Sequence, residues 1–298
     1  MTQDLPHFQR LLAATDLSAH ARHAAERAAM ISQSTGATLD LLHVANLAPL
    51  DQLRQLLGAD APDLSSQVLD TAHQQLGALV TLLHQRYGVQ AGMRVASGSL
   101  LTELAHEAQA HPQGLLVCGA RGESPVRSFL LGTTALRVLS TTTCPVLVVK
   151  QQPHTAYRRL LVPVDFSAGS LRAVQQARQL APQAELVLFH AFEAPFESQL
   201  RYASVDEDTV QHYRTAARED ARQKLQALRL QADCPPERCS LVVQHGNPVL
   251  RIVQQEQELD CDLIVMGKHG QNALEELLLG SVTKHVLAEC QSDILITV

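Results

Sequence analysis

Three glycines at a fixed spacing occur twice in this chain, each time between an apolar run and a stretch of helical periodicity. The pattern is Gly-x2-Gly-x9-Gly-Ser/Thr, formed by Gly119, Gly122, Gly132 and Thr133, and again by Gly267, Gly270, Gly280 and Ser281. Glycine permits positive φ angles and the close approach of a ligand. A helix that begins after the last glycine offers free backbone N–H groups and a partial positive charge, which suit a phosphate. The alternative is that Gly-Ser serves only as an ordinary helix start.

A carboxylate follows the first apolar run of each half of the chain. Asp16 lies in "TDLS" and Asp165 in "VDFS". A carboxylate can accept hydrogen bonds from a ribose or a base, so Asp and glycine loop together describe a nucleotide site. Taken alone, an Asp before Ser after a strand is more commonly a cap or turn residue.

Both sets of residues belong to a repeat whose period is a whole domain, which indicates tandem duplication. The segment "RLLAATDLSAHARHA" matches "RLLVPVDFSAGSLRA", and this register places His43 over His190 and Gly98 over Gly246. We predict a first domain over residues 1–150, a linker over 151–157 and a second domain over 158–298. We expect the two histidines, on apolar strands, to be hydrogen-bonded core residues.

Short apolar runs alternate with longer amphipathic ones in each half. In the second half the predicted strands are 160–164, 185–191, 240–244, 263–267 and 294–298, and the predicted helices are 167–180, 206–230, 248–258 and 281–289. This alternation predicts an α/β fold of two tandem, doubly wound domains, each with a five-stranded parallel sheet. In the strand order 3-2-1-4-5, the first and fourth strands flank the switch point, so Asp and glycine loop face one crevice.

Composition excludes several other functions. The formal charge is −6 and the pI is about 6.1, which disfavours binding to a nucleic-acid backbone. No apolar run approaches the ~20 residues that span a bilayer, and the first residues carry no signal pattern, so we expect a soluble, cytoplasmic protein without a membrane partner. The six cysteines show no metal or disulfide framework. Cys234, Cys239 and His245 form only a weak zinc pattern, and we predict no metal site.

The glycine pattern, with "TDLS" and "VDFS" upstream, resembles the universal stress protein family, and the two halves together resemble its tandem members with an adenine nucleotide alpha hydrolase-like fold. The resemblance implies a stress-response role and binding of ATP, ADP or AMP, with or without Mg²⁺. It places Asp16 and Asp165 at the adenine end and Val44 and Ala191 along the base pocket. The remaining predicted site residues, at ribose and phosphates, are Gly119, Arg121, Gly122, Gly132, Thr133, Thr134, Gly267, Gly270, Gly280, Ser281 and Val282.

The two predicted sites are not equal. The first half has Ala14 and Ser99–Leu100 where the second has Pro163 and Asn247–Pro248, so family-like packing favours the second. Loop charge favours the first site. The first loop has a net positive charge from Arg121, Glu123 and Arg127, whereas the second has a net negative charge from Lys268, Glu275 and Glu276. Such loop charges usually point to solvent. We expect both sites to bind, with unequal affinity.

Chemistry beyond binding has little support in the motifs. The chain has no Gly-x4-Gly-Lys-Ser/Thr loop, no dinucleotide fingerprint and no hydrolase elbow. We predict no catalytic residues and at most slow ATP hydrolysis, in a nucleotide-dependent regulatory or interaction module with an unidentified protein partner. An adenylating or phosphoryl-transferring enzyme, a nucleotide-free interaction protein and a binder of an apolar metabolite remain open alternatives.

The last predicted strand of each half lies at a sheet edge, and exposed apolar edges invite pairing. We expect residues 146–150 and 294–298 to pair and to give a pseudo-two-fold fused dimer, as single-domain members of the family dimerise. A further homodimer stays open.

Overall fold

The chain forms two compact units in this computed structural model, Met1–Ala156 and Tyr157–Val298. The structure describes residues 8–48, 64–111, 113–120, 132–193, 206–270 and 279–298. The division between the units lies within the stretch that the sequence indicates as a linker. The predicted pairing of the two domains stays a prediction.

Strands and helices alternate along the first domain. The described elements are β1 (Arg10–Ala14), α1 (Ala19–Thr35), β2 (Thr38–Ala45), α2 (Leu64–Tyr87), β3 (Ala91–Ser97), α3 (Leu100–Ala110), β4 (Gly114–Gly119), α4 (Thr133–Thr141) and β5 (Val146–Val149).

The second domain repeats this order. Its elements are β6 (Arg159–Pro163), α5 (Ala168–Leu180), β7 (Glu185–Phe192), α6 (Glu207–Gln231), a 3-10 turn (Pro236–Arg238), β8 (Cys239–His245), α7 (Pro248–Glu258), β9 (Leu263–Gly267), α8 (Ser281–Glu289) and β10 (Asp293–Thr297). The bounds predicted from the sequence differ from these by no more than one residue at either end. Apolar periodicity was a sufficient signal here because each strand is short and each helix is amphipathic.

All strand pairs within each domain are parallel. The order is β3-β2-β1-β4-β5 in the first domain and β8-β7-β6-β9-β10 in the second, which is the predicted 3-2-1-4-5 order. The chain leaves β1 toward β2 on one side and returns to β4 on the other. A crevice therefore opens at the carboxyl ends of β1 and β4, and of β6 and β9.

The strands at the switch point are buried on both faces. In β9 the four residues Leu263–Met266 are buried, and in β4 the same is true of Leu115–Cys118. Helices α1 and α2 pack together, as do α3 and α4, which is the grouping expected when helices cover both faces of a sheet. The glycines that end β4 and β9 are thus held at fixed positions by the core beneath them.

Short polar side chains start several helices. Ser18 caps α1 by accepting from the N–H of Ala21, and Asp206 caps α6 by accepting from the N–H of Thr209. Asn247 caps α7, where Pro248 occupies the first helical position. These contacts satisfy N–H groups that have no partner within the helix.

A buried carboxylate joins α7 to the segment before β10, at the end of the sheet opposite the crevice. Glu256 is 3% exposed, and its Oε1 accepts from the N–H groups of Gln291 at 2.9 Å and Ser292 at 2.6 Å and from the Ser292 hydroxyl. Within the described residues, the other oxygen, Oε2, has no hydrogen-bond partner. Oε1 therefore carries the structural role of this side chain.

Replacing this acceptor should destabilise the second domain. We expect Glu256→Ala to lower the free energy of unfolding by about 3 kcal/mol, because it leaves two buried donors and one partly buried donor without this acceptor. Glu256→Gln keeps an oxygen at the position of Oε1 and should cost roughly 1 kcal/mol. Urea denaturation of the purified chain measures both.

Gln257→Ala is the matched control on the same helix, because Gln257 is exposed. It should change the free energy of unfolding by less than about 0.5 kcal/mol. Equal losses for Glu256→Ala and Gln257→Ala would contradict the structural role assigned to Glu256.

Candidate functional site

The carboxyl ends of β6 and β9 bring a carboxylate against the second glycine loop. Asp165 follows the end of β6, and Gly270 lies three residues beyond the end of β9 at Gly267. A Cβ added to Gly270 would lie 3.0 Å from Oδ2 of Asp165. The carboxylate and the glycine loop are therefore direct neighbours in the crevice.

Three donors from the start of α5 hold the Asp165 carboxylate. Its Oδ1 accepts from the N–H of Ser167 at 3.0 Å, from the Ser167 hydroxyl at 2.6 Å and from the Ser170 hydroxyl at 2.7 Å. The Ser170 hydroxyl also accepts from the N–H of Asp165 at 3.1 Å. Because Oδ1 is held from three directions, the plane of the carboxylate is fixed, and Oδ2 faces the loop.

A left-handed residue follows the carboxylate in both domains. Leu17 has φ 66° and Phe166 has φ 64°, values that are uncommon for residues with a Cβ. This turn brings the next N–H back to the carboxylate, as in the 3.0 Å bond from Ser18 to Oδ1 of Asp16. Such local strain persists where the surrounding structure requires it, and it often marks a functional site.

Backbone hydrogen bonds close the second glycine loop. The N–H of Gly280 donates to the carbonyl of Lys268 at 2.9 Å, and the hydroxyl of Thr283 donates to the carbonyl of Gly267 at 3.1 Å. The N–H of Lys268 donates to Thr297 at 2.7 Å. The start of α8 is thereby fixed against the end of β9.

The first glycine loop closes in the same way. The N–H of Gly132 donates to the carbonyl of Ala120 at 2.9 Å, and the N–H of Ala120 donates to Val149 at 2.8 Å. Gly119 ends β4, as Gly267 ends β9. Where the structure describes both loops, the two domains therefore repeat the same backbone contacts as well as the same sequence pattern.

The three glycines of the second loop do not have the same reason to be glycine. A Cβ on Gly267 would lie 3.1 Å from the carbonyl of His269, and one on Gly270 would lie 3.0 Å from Asp165. Among the residues that the structure describes, the atom nearest to a Cβ on Gly280 would be the carbonyl oxygen of Lys268 at 3.5 Å, an ordinary contact distance. Packing therefore explains the first two glycines and leaves the third unexplained.

Helix capping does not explain the third glycine either. Gly280 is the N-cap of α8 with φ −57° and ψ 151°, angles that any residue adopts, and no side chain caps the helix. Gly132 caps α4 with φ −59° and ψ 144°, also without a side-chain bond. Ser, Asp or Asn would cap these helices at least as well. A glycine at each of these positions places no side chain at the helix start.

A half-buried histidine lies beside each carboxylate. Burial lowers the pKa of His190, so its ring is neutral near pH 7. Its Nδ1 lies 2.7 Å from the carbonyl of Val164 and so carries the proton, and its ring centroid is 4.4 Å from that of Phe166. His43 contacts the carbonyl of Thr15 at 2.9 Å. The expected hydrogen bond is present in both, but the rings lie at the strand ends rather than deep in the core.

The expectation that loop charges point to solvent is wrong for Lys268, whose side chain is only 4% exposed. It extends from the buried end of β9, because its backbone continues the pairing of that strand with β10. Solvent screening is therefore no reason to discount the charge of Lys268 when the two loops are compared. The other charges in that comparison lie outside the described residues: Arg121, Glu123, Arg127, Glu275 and Glu276.

The crevice of the first domain is more open around its carboxylate. Asp16 is exposed, whereas Asp165 is half-buried. A pocket of about 590 Å³ adjoins Asp16, within the range typical of small-molecule sites. Its lining also includes Leu17, Ser18, His43 and the α2 residues Leu64, Gln67, Val68, Thr71, Ala72 and Gln75.

The remaining predicted residues lie at the same strand and helix ends. Val44 and Ala191 are half-buried near the ends of β2 and β7. Ser281 is exposed and Val282 half-buried in the first turn of α8. The backbones of Thr133 and Thr134 begin α4, and Arg121 and Gly122 lie outside the described residues.

Sequence reasoning missed Ser170, which holds the carboxylate, and the left-handed turn at Leu17 and Phe166. A signal for Ser170 was present: "VDFSAGS" places a second hydroxyl in the first helical turn after the aspartate. The left-handed turn carries no residue signal, since Leu and Phe rarely adopt positive φ.

The described ranges show neither a metal-binding cluster nor a membrane-spanning helix. There, no group of three or more His, Cys, Asp or Glu side chains is arranged to hold a metal ion. Cys234 and Cys239 are buried, and the His245 ring lies against Phe192 at 5.4 Å. Among the described helices, none combines the length and hydropathy needed to cross a lipid bilayer.

Comparison with known proteins gives two matches to one family model, the Universal stress protein family, over residues 7–150 and 156–297. The universal stress protein MJ0577 of Methanocaldococcus jannaschii is 26% identical over 153 residues, covering 47% of this chain and 94% of that protein. The universal stress protein Rv1996 of Mycobacterium tuberculosis is 26% identical over 193 residues, covering 61% of this chain and 58% of its own length.

A crystal structure of a universal stress protein from Archaeoglobus fulgidus shares the fold along the whole chain. It covers 97% of this chain and 98% of its own, with a TM-score of 0.69 at 19% identity. The family model and the fold agree over both halves of the sequence. The chain therefore belongs to the universal stress protein family, as a tandem two-domain member.

Proposed function

We propose that this chain binds an adenine nucleotide at the crevice of each domain and acts as a nucleotide-dependent regulatory or interaction module. The observation that carries the proposal is Gly280, for which neither packing against the described residues nor helix capping supplies a reason. A ligand that approaches the start of α8 supplies one, because any side chain at this position would occupy its space. Gly132 holds the equivalent position in the first domain.

Phosphates suit the starts of α4 and α8. The first N–H groups of an α-helix have no partner within the helix, and the helix start carries a partial positive charge. Ser281, which is exposed, adds a hydroxyl at the start of α8. Phosphate oxygens placed there would accept from these groups, as at other phosphate sites on helix starts.

The nucleoside end suits the carboxylate side of the crevice. An ionised carboxylate only accepts hydrogen bonds, so Asp165 and Asp16 would bind N–H or O–H groups of a base or ribose. Phosphates carry negative charge and would be repelled from the same position. The half-buried Ala191 and Val44 would add apolar contacts to the base. The crevice thus has N–H donors of a helix start at one end and a carboxylate acceptor at the other. This arrangement fits the phosphates and the nucleoside of a nucleotide and would orient the ligand.

Binding is a better-supported role than turnover. Rapid phosphoryl transfer needs positioned charge and usually a metal at the transferring phosphate, and the motifs of the chain supply no residue set for it. We infer that the bound nucleotide changes how the chain contacts a protein partner and that any ATP hydrolysis is slow. Mg²⁺ would supply charge neutralisation of the phosphates if it accompanies ATP. A phosphoryl-transferring enzyme would instead show multiple turnovers with a second substrate.

Gly280→Ser tests the proposal. A serine caps the start of α8 at least as well as glycine, so the free energy of unfolding should stay the same or rise by a few tenths of a kcal/mol. The new side chain should occupy the phosphate space and weaken ATP binding at one site by about tenfold or more. Isothermal titration calorimetry measures the affinity, and urea denaturation measures the stability.

Gly132→Ser is the matched variant in the first domain. Each single variant should leave one class of ATP site unaltered, and the double variant should weaken both. Unchanged ATP affinity in all three would contradict the phosphate position, whereas absence of ATP binding by the wild-type chain would favour the nucleotide-free interaction protein.

A further inference from the structure

The two carboxylates occupy equivalent turns but are held differently. In the second domain, Ser170 donates to Oδ1 of Asp165 at 2.7 Å, and this serine is 4% exposed. Ala21 occupies the equivalent position of the first domain and has no hydroxyl to give to Asp16. One buried hydroxyl therefore distinguishes the two sites.

The Ser170 hydroxyl has a fixed direction. It accepts from the N–H of Asp165 at 3.1 Å, so its own proton is directed to Oδ1 of the same residue. A hydroxyl carries a single proton, and both of its contacts are thus determined. Ser170 and the carboxylate form a closed pair in which neither group rotates without breaking a bond.

Ser167 completes the arrangement from the other side. Its N–H and its hydroxyl both reach Oδ1 of Asp165, at 3.0 and 2.6 Å, because the left-handed turn at Phe166 folds the chain back. In the first domain the Ser18 hydroxyl accepts from the N–H of Ala21 at 3.2 Å, as a helix cap, and the Ser18 N–H bonds to Asp16. The two domains share the fold of the turn and differ at Ser170, which Ala21 replaces in the first domain.

We propose that Ser170 is a positioning residue that holds Asp165 as a preorganised acceptor for the nucleoside end of an adenine nucleotide, and that the second-domain site is therefore the tighter of the two. This inference rests on the proposed nucleotide binding. A carboxylate that is already fixed loses little conformational freedom on binding, and Asp165 has the buried Ser170 hydroxyl that Ala21 cannot supply to the more exposed Asp16. The difference in affinity then arises from Ala21 and Ser170, and does not require the loop charges.

The group that Asp165 accepts from must be an N–H or O–H of the nucleotide, since an ionised carboxylate has no proton to donate. Oδ2 faces the loop, within 3.0 Å of a Cβ position on Gly270. The nucleoside donor would therefore lie beside Gly270, and the phosphates would lie toward Gly280. Ser170 acts on the ligand only through Asp165.

A double-mutant cycle on the full chain tests this role. Calorimetric titration with ATP should show two classes of site in the wild-type protein. Ser170→Ala and Asp165→Asn should each weaken the tighter class by about tenfold, the effect expected when a charged hydrogen bond is lost or misplaced. In the Asp165→Asn background, Ser170→Ala should have little further effect, because the serine no longer positions a carboxylate.

Two further variants separate positioning from stability. Ser292→Ala removes another buried serine hydroxyl that donates to a carboxylate in the same domain, that of Glu256 at the opposite end of the sheet. It should lower stability and leave ATP affinity unchanged. Ala21→Ser adds the missing hydroxyl to the first domain and should tighten the weaker class of site by a few fold, on the order of 3 to 10.

The outcomes distinguish this inference from the proposed function. If ATP binds but Ser170→Ala leaves both classes unchanged, or weakens binding equally with and without Asp165→Asn, the positioning role is wrong and nucleotide binding stands. If Ser292→Ala weakens binding as much as Ser170→Ala, the effect is one of stability and the positioning role is again wrong. If the wild-type chain binds no ATP, both proposals fail.

Discussion

The contact between the carboxylate of Asp165 and the backbone of Gly270 sets the form of the second-domain site. It requires that β6 and β9 be neighbours in the sheet, which the doubly wound strand order provides. It also requires the residue at 270 to have no Cβ, because that atom would lie 3.0 Å from Oδ2. The glycine loop can thus approach the carboxylate closely and still reach the start of α8. The same strand neighbours and the same loop closure occur in the first domain.

The duplication makes each domain a reference for the other. Both carry the left-handed turn after the carboxylate, the histidine bonded to the carbonyl at the end of the first strand, and the glycine N-cap. Because both domains share these features, we infer that they are structural requirements of the crevice. The differences, Ala21 against Ser170 and an exposed against a half-buried aspartate, describe what has changed since the halves diverged.

The sequence predicted the fold well because the fold depends on periodicity and composition. Every strand and helix of the second half follows its apolar pattern, and the strand order follows from the fold class. The proximity of Asp165 to Gly270 was predictable for the same reason. Other features were not, because they depend on the path of the chain in space. The burial of Lys268 arises from tertiary packing, and the positive φ of Phe166 has no residue signal. The bond from Ser170 to Asp165 depends on that turn, although the second serine of "VDFSAGS" gave a local signal for it.

The most direct test of nucleotide binding is mass spectrometry of the small molecules released when the purified full chain is denatured, with the amount per chain. Calorimetric titration of the chain, freed of ligand, with millimolar ATP completes the measurement. We expect adenine nucleotide to be released or ATP to bind, at two sites per chain. A chain that releases no nucleotide and gives no binding heat with ATP would contradict it, and Gly132 and Gly280 would then need an explanation within the fold itself.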